Sequence, residues 1–441
     1  MRVLLVKPHS YGSAKGIGAP IGLGYIASSL LEAGHDVYIE DLMLTESEKV
    51  EEIFREKLAK ISPDIVGITC NSHERFFSFD IAKWAKESGN IKVVLGGPHV
   101  TFTAEETVKS IPFIDIVVRH EGELTMKELC DKLANEEPLN DVKGITFNDK
   151  NGEIRSNPPR PFITDLDTLP FPSRHLLDIE KYDLFLPIPT KPRVTNMITS
   201  RGCPFTCKFC SATIMSGKMI RVRSPEKTVD EIEYILKEYP FLDGLFIYDD
   251  HFTTNKRRTT AICEEIKERG LHFRWGCYSR VDSIDKEIVK TLKSAGCEMV
   301  SFGVESGSQK VLKAMKKNTT PEQIIEAIKT VKAEGIAARS SFLYRYPGEG
   351  FSDIWKTYIL MRKAGLTPDE VVQAGYPIIY PGTDLFDELK ESKYIPEDYN
   401  WENHSNFGLP TYRNVPVYVP PFNTPRRVFY FALNILFGIR D

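Results

Sequence analysis

Cys203, Cys207 and Cys210 fall within eight positions, in the run Cys203-Pro204-Phe205-Thr206-Cys207-Lys208-Phe209-Cys210. Three thiolates on so short a loop can hold three corners of an iron–sulfur cluster. A structural zinc site wants a fourth Cys or His, and none lies nearby in the sequence. Three ligands leave one iron open, which is what coordination of a substrate or cofactor requires. The chain has only eight cysteines in 441 residues. That is no disulfide framework, and in a reducing compartment such a cluster marks metal or redox chemistry. Further groups with chemical potential follow apolar runs: Tyr248-Asp249-Asp250-His251, Ser279-Arg280-Val281-Asp282 and Gly303-Val304-Glu305-Ser306. Taken singly, each has a bland explanation, as a helix cap, a surface ion pair or a helix start. Their order behind the cysteine loop gives them weight.

Elements must position these groups. Residues 1–135 alternate short apolar runs (3–6, 36–39, 64–69, 93–95, 114–118) with helical patterns (22–33, 46–60, 77–88, 104–110, 124–135). Five such units predict an α/β domain with a doubly wound, Rossmann-like parallel sheet, whose ligands bind beyond the strand C-termini. Between about 136 and 190 the rhythm breaks into a strand pair and a proline-rich stretch, expected to be a connection over the surface. From 194 a second alternation runs through six strands and five helices. Without a reversal point it predicts a partial (β/α)6 barrel with its chemistry at the strand C-termini. The expected boundaries are 1–140 for the first domain, 141–190 for the linker, 191–385 for the barrel and 386–441 for a C-terminal extension.

Cys-x3-Cys-x-Phe-Cys after a strand resembles the signature of the radical S-adenosylmethionine (SAM) superfamily. The resemblance implies that Cys203, Cys207 and Cys210 bind a 4Fe–4S cluster whose fourth iron chelates SAM. It further implies SAM contacts from Phe209, Tyr248, Asp249, Asp250, Arg280, Glu305 and Ser306, with Arg280 on the carboxylate and Glu305 on the ribose. In the first domain, Pro20-Ile21-Gly22-Leu23-Gly24-Tyr25, Leu95-Gly96-Gly97-Pro98-His99 and Arg119-His120-Glu121-Gly122-Glu123 resemble the cobalamin-binding domain of one radical SAM class. This implies cobalamin contacts from Gly22, Leu23, Ser72, Gly96, Gly97, His99, Glu121, Gly122 and Glu123. The Asp-x-His-x-x-Gly motif that supplies an axial histidine elsewhere is missing, so His73 and His99 are the candidate imidazoles and the cobalt is expected to take neither. The methylthiotransferase branch is disfavoured, because it carries three more cysteines in the first domain and only Cys70 and Cys130 occur there. Arg345 departs from the family pattern, standing where relatives carry glycine.

The resemblance implies a cobalamin-dependent radical SAM methyltransferase. In that family SAM is cleaved to a 5′-deoxyadenosyl radical, which abstracts a hydrogen before methylcobalamin supplies the methyl group. The alternatives are a radical cyclase like the anaerobic magnesium-protoporphyrin enzyme or another radical reaction without methyl transfer. Outside catalysis they are a cobalamin sensor or an electron-transfer iron–sulfur protein. A small-molecule or lipid-like substrate and an electron donor such as flavodoxin or ferredoxin are implied. With 57 Lys and Arg against 61 Asp and Glu, no basic excess exists for a general nucleic-acid surface. No secretory signal opens the chain and no apolar run reaches membrane-spanning length, so the protein is expected to be cytoplasmic. The tail carries Trp401, Phe407, Tyr412, Tyr418 and Phe422, then an apolar run 428–439 flanked by Arg426, Arg427 and Arg440. That run is expected to be a terminal helix packed on the barrel or, as the sharper reading, a surface helix touching a membrane.

Overall fold

Val3, Leu4, Leu5 and Val6 are all buried, the mark of a strand covered on both faces. They lie in β1 (Arg2–Lys7) of the computed structural model, which describes residues 1–10, 18–149, 151–403 and 408–419. The chain divides into two compact units. One comprises Met1–Leu184, Ser211–Arg221 and Tyr380–Val415; the other comprises Phe185–Cys210, Val222–Ile379 and the described residues from Pro416.

The first unit is built on β1, β2 (Asp36–Asp41), β3 (Ile65–Thr69), β4 (Lys92–Gly96), β5 (Ile116–Val118), β6 (Ile145–Asn148) and β7 (Ile154–Ser156), in the order β2-β1-β3-β4-β5-β6-β7. The first five are parallel, as the periodicity predicts. Alternate residues feed two cores. Leu4, Val6, Val66, Ile68, Val93 and Leu95 pack on one face with Phe54 of α2 (Val50–Ile61) and Phe76 and Phe79 of α3 (Arg75–Glu87). Val3, Leu5, Ile65 and Val94 pack on the other with Leu23 and Leu30 of α1 (Ile21–Glu32). The short α4 (Pro98–Phe102), α5 (Ala104–Ser110) and α6 (Glu123–Ala134) complete the layers. The strand pair expected within a surface connection is instead part of this sheet. β6 pairs antiparallel with β5, and β7 with β6, because β5 would otherwise leave its edge open.

The second unit is a half-barrel of six parallel strands. β8 (Val194–Met197), β9 (Gly244–Ile247), β10 (Arg274–Ser279), β11 (Cys297–Glu305), β12 (Ala337–Leu343) and β13 (Val371–Gly375) lie side by side in chain order. Between them run α7 (Pro225–Glu238), α8 (Lys256–Glu268), α9 (Lys286–Ser294), the short α10 (Gln309–Ala314), α11 (Pro321–Ala333) and α12 (Phe351–Ala364). Their starts are set locally. Ser224, Asn255 and Asp285 cap α7, α8 and α9, and Thr320 with Gln323 forms a capping box on α11.

Aspartates recur where strands begin. Asp64, just before β3, accepts from Arg2 N–H at 2.7 Å. Asp115, before β5, accepts from Val93 N–H, and Asp243, before β9, from Arg193 N–H, each at 2.7 Å. Among the described residues no helix is long and apolar enough to cross a membrane. Phe407, Phe422 and the run 426–440 lie outside the described residues.

Candidate active site

The cysteine loop leaves the half-barrel sheet just beyond β8, and Asp249 fixes its base. Fully buried after β9, Asp249 accepts from the Thr199 N–H, the Thr199 hydroxyl and the Ser200 hydroxyl, each at 2.6 Å. A residue expected to touch SAM is thus committed to locking two strand ends together. Asp250 beside it is exposed at the rim, and half-buried Tyr248 packs edge-on against Phe246. Within the loop, Cys210 N–H donates to Cys207 O at 3.1 Å and Lys208 N–H to Met315 O at 3.0 Å. Cys203, Cys207 and Cys210 form no disulfide, and they pass from buried through half-buried to exposed.

His251 reaches Cys203, and Arg280, Lys317 and Glu305 follow in a chain of contacts through Phe205 and one another. Arg280 is 3% exposed. Its guanidinium pairs with Asp282 (Nη2 to Oδ2 2.8 Å, Nε to Oδ1 3.0 Å) and donates to Lys317 O at 3.0 Å. It also lies 3.6 Å over the Phe205 ring, while His251 meets that ring edge-on with centroids 5.3 Å apart. His251 Nε2 is 3.1 Å from Cys203 Sγ. Burial, reinforced by the charges of Arg280 and Lys317, pushes the His251 imidazole down to about 3, so the ring is neutral. Glu305 ends β11 at a register shift between Gly303 and Glu305, with φ 66°, and this bulge aims its side chain at Lys317 (Oε1 to Nζ 3.1 Å). Lys317 Nζ is in turn 6.0 Å from the Phe209 ring. Ser306 turns inward: fully buried, its hydroxyl sits 3.3 Å from Thr357 Oγ1 and accepts from Ser308 N–H at 3.2 Å.

At the end of β12, Arg345 holds φ 62°, a left-handed conformation in which glycine is unstrained. That accounts for the glycine expected there in relatives. Arg345 N–H donates to the Glu349 carboxylate, and burial pushes Glu349 up to about 7.

Among the described residues no three His, Cys, Asp or Glu side chains are already gathered as a metal site. The donor set nevertheless fits an iron–sulfur cluster: three thiols outside any disulfide on one irregular loop, with Lys208 in that loop and Arg280 stacked on it.

In the first unit, the strand order places a switch point between β1 and β3, the position where such sheets bind ligands. His9, just past β1, is buried, and its Nδ1 has no hydrogen-bond partner among the described residues. Gly22 is exposed in the first turn of α1, and a Cβ there would meet nothing within 4 Å. Gly97, following Gly96 at the end of β4, has φ 104°, and a Cβ would come within 2.9 Å of Cys70 O. An open glycine turn and an orphaned imidazole nitrogen at a switch point fit a large ring bearing amide side chains.

Other expected cobalamin contacts have structural duties. Leu23 lies in the core, and Gly122 packs so that a Cβ would press Ile26 at 2.9 Å. Glu123 is buried at the start of α6, and Glu121 accepts from Ile163 N–H and Arg221 Nη1, both at 2.7 Å. His99 is fully buried between Ser72 Oγ (3.0 Å from Nδ1) and Glu402 (Oε2 3.7 Å from Nε2), and burial shifts its imidazole below the ordinary histidine value. His73 lies 3.1 Å from Tyr380 OH. Both candidate axial imidazoles are thus engaged within the chain.

Lys317, His9 and Glu402 escape the sequence reading. His251 is named in the run after the second barrel strand, but its contact with Cys203 is not readable from the sequence. For Lys317 and Glu402 no local signal exists.

Residues 197–361 match the model of the radical SAM superfamily, and residues 11–130 that of the B12 binding domain. An uncharacterized methyltransferase of Pyrococcus horikoshii is 38% identical over 416 residues, 92% of this chain and 86% of that protein. An anaerobic magnesium-protoporphyrin IX monomethyl ester cyclase of Rubrivivax gelatinosus is 34% identical over 414 residues, 91% of this chain and 72% of the cyclase. Among solved structures, a radical SAM methyltransferase of Kitasatospora setae with cobalamin and a 4Fe–4S cluster bound shares the fold, with TM-score 0.73 and 20% identity over 89% of this chain and 75% of that one.

Proposed function

Because this chain belongs to the radical SAM superfamily, in the branch that carries a B12-binding domain before the barrel, we propose that it methylates an unactivated carbon of a small-molecule substrate. It is an enzyme whose cofactors are a 4Fe–4S cluster, SAM and cobalamin. The observation that carries the reading is the three-thiol loop at a strand end beside a buried, charge-paired rim. When bound, the cluster supplies an electron to SAM and cobalamin supplies a methyl carrier.

Each residue's part follows from its geometry. Cys203, Cys207 and Cys210 would hold three irons. Arg280 spends Nε and Nη2 within the protein, leaving Nη1 for the SAM carboxylate. Glu305 gives Oε1 to Lys317 and keeps Oε2 for ribose hydroxyls. Prearranged charge of this kind needs no reorganisation when SAM arrives. In the first unit, Gly22, Gly97 and their strand ends would receive the corrin ring. An electron donor such as flavodoxin or ferredoxin would reduce the cluster.

A second reading, radical cyclisation, is favoured by the 34% identity to the cyclase. The deciding experiment incubates reconstituted protein anaerobically with methyl-deuterated SAM, reductant and a small-molecule extract, followed by mass spectrometry. A deuteromethylated product with S-adenosylhomocysteine supports methyl transfer. Formation of 5′-deoxyadenosine with no label transferred supports the cyclase-like reading.

A further inference from the structure

We propose that His251 is a positioning residue for the iron–sulfur cluster, donating a hydrogen bond from Nε2–H to the Cys203 sulfur and thereby raising the cluster's reduction potential. The proposal rests on the reading that Cys203, Cys207 and Cys210 hold the cluster. Nε2 lies 3.1 Å from Cys203 Sγ, and among the described residues that sulfur is the ring's only hydrogen-bond partner, since Nδ1 is buried without one. The ring cannot easily turn away. Phe205, two residues after Cys203, meets it edge-on at 5.3 Å, and Arg280 covers that same phenyl ring at 3.6 Å.

The direction of the hydrogen bond follows from the donors and acceptors at hand: an imidazole in either charge state can carry Nε2–H, and among the described residues Nδ1 faces no acceptor that would hold a single proton there. A cysteine bound to iron is a thiolate, which only accepts. The tautomer with its proton on Nε2 is therefore favoured. A donor on a cluster sulfur stabilises the extra negative charge of the reduced state more than the oxidised one, which raises the potential. Two residues upstream on the same turn, Asp249 locks the base of the cysteine loop. One turn after β9 would thus set both where Cys203 sits and how readily its iron accepts an electron.

The test uses the full-length, anaerobically reconstituted protein. His251→Leu keeps comparable bulk without a donor, and His251→Gln restores an N–H. Both variants should bind about four irons, like the wild type. In potentiometric titrations followed by electron paramagnetic resonance, His251→Leu should have a lower midpoint potential than wild type, with His251→Gln between them. An unchanged potential in iron-replete His251→Leu, or equal shifts in both variants, would overturn the proposal. A second measurement needs no variant. Wild-type protein carrying 15N-histidine should show weak nitrogen coupling in pulsed resonance of the reduced cluster, and its absence would overturn the proposal even where His251→Leu loses iron. Failure of the wild type to take up iron would instead defeat the cluster reading on which the proposal rests.

Discussion

The two sheets finish their functional ends in different ways. At the rim of the half-barrel, side chains from neighbouring strand ends pair with each other. Lys317 reaches Glu305 twelve residues away, Arg280 reaches Lys317 across 37, and His251 reaches Cys203 across 48. Around the strand ends and helices of the first unit, several partners come from late in the chain. Arg75 donates to Trp401 O across 326 residues, Thr107 meets Glu402 across 295, and His73 meets Tyr380 across 307. A charged site can thus be completed by its own barrel, whereas the first unit's sheet recruits a distant segment, Tyr380–Val415, near its β3 and β4 ends.

If the half-barrel rim is self-sufficient, its cysteines should be indispensable and specific. Replacing Cys203, Cys207 or Cys210 by alanine should abolish iron binding and SAM cleavage, measured by iron assay and 5′-deoxyadenosine formation. Cys263→Ala and Cys297→Ala, in the fully buried core, should keep the cluster and cost about 1–2 kcal/mol of stability. A triple Cys203/Cys207/Cys210 variant that still cleaves SAM would break the comparison at its root.

The opposite side of the comparison is tested at Arg75. Its buried guanidinium donates to Ser72 O, Trp401 O and Asn414 O. Arg75→Ala leaves three carbonyls short of a donor and should destabilise the first unit by about 3–5 kcal/mol. Limited proteolysis should then cut within 380–415 while bound iron is retained. Loss of iron together with the tail would show that the two regions are not independent.

A smaller effect is expected at Arg280. A charge-assisted contact to SAM is worth roughly 1.5–3 kcal/mol, so Arg280→Ala should weaken SAM binding about ten- to a hundredfold in anaerobic calorimetry, with the cluster intact. Unchanged affinity would assign Arg280 wholly to Asp282, Lys317 and Phe205.

The smallest effect concerns pH. Glu349 titrates near 7 when folded, against an ordinary 4.5, because burial penalises its charge. The folded chain therefore holds a proton that the unfolded chain releases across this window. This contribution to stability is whole below about 4.5 and is lost as pH rises through 7. Glu349→Gln should flatten that decline by about 1–2 kcal/mol, discounted for partial exposure. Parallel denaturation curves of both proteins at pH 5 and pH 8 would contradict it.

The contrast also explains what could be read from the chain. Helices and strands of both units are legible because apolar periodicity is local, and the cysteine loop is legible because its ligands sit within eight positions. Type and spacing could not separate Asp249 and Ser306, which face inward, from Arg280 and Glu305, each of which has one side-chain atom with no hydrogen bond among the described residues. Leu23 belongs to a glycine-rich motif but packs in a core. The docking of Tyr380–Val415 and the recruitment of Ser211–Arg221 to the first unit leave no local trace, because their partners are set by folding over long separations. The hairpin β6–β7 was visible as strands, while its pairing with β5 was not.

The aspartates ahead of β3, β5 and β9 have a consequence for how the chain avoids mispairing. A strand such as Val3-Leu4-Leu5-Val6, apolar on both faces, gains nearly as much burial when slipped by one residue, so hydrophobicity alone specifies its alignment poorly. Asp64, Asp115 and Asp243 each bind one particular amide of the neighbouring strand start. A slipped strand would forfeit that charge-assisted bond and leave a carboxylate beside the wrong amide, at a cost of about 1–3 kcal/mol. These residues act as alignment marks at the end of the sheet opposite the chemistry, and they discriminate against out-of-step assembly before any cofactor arrives.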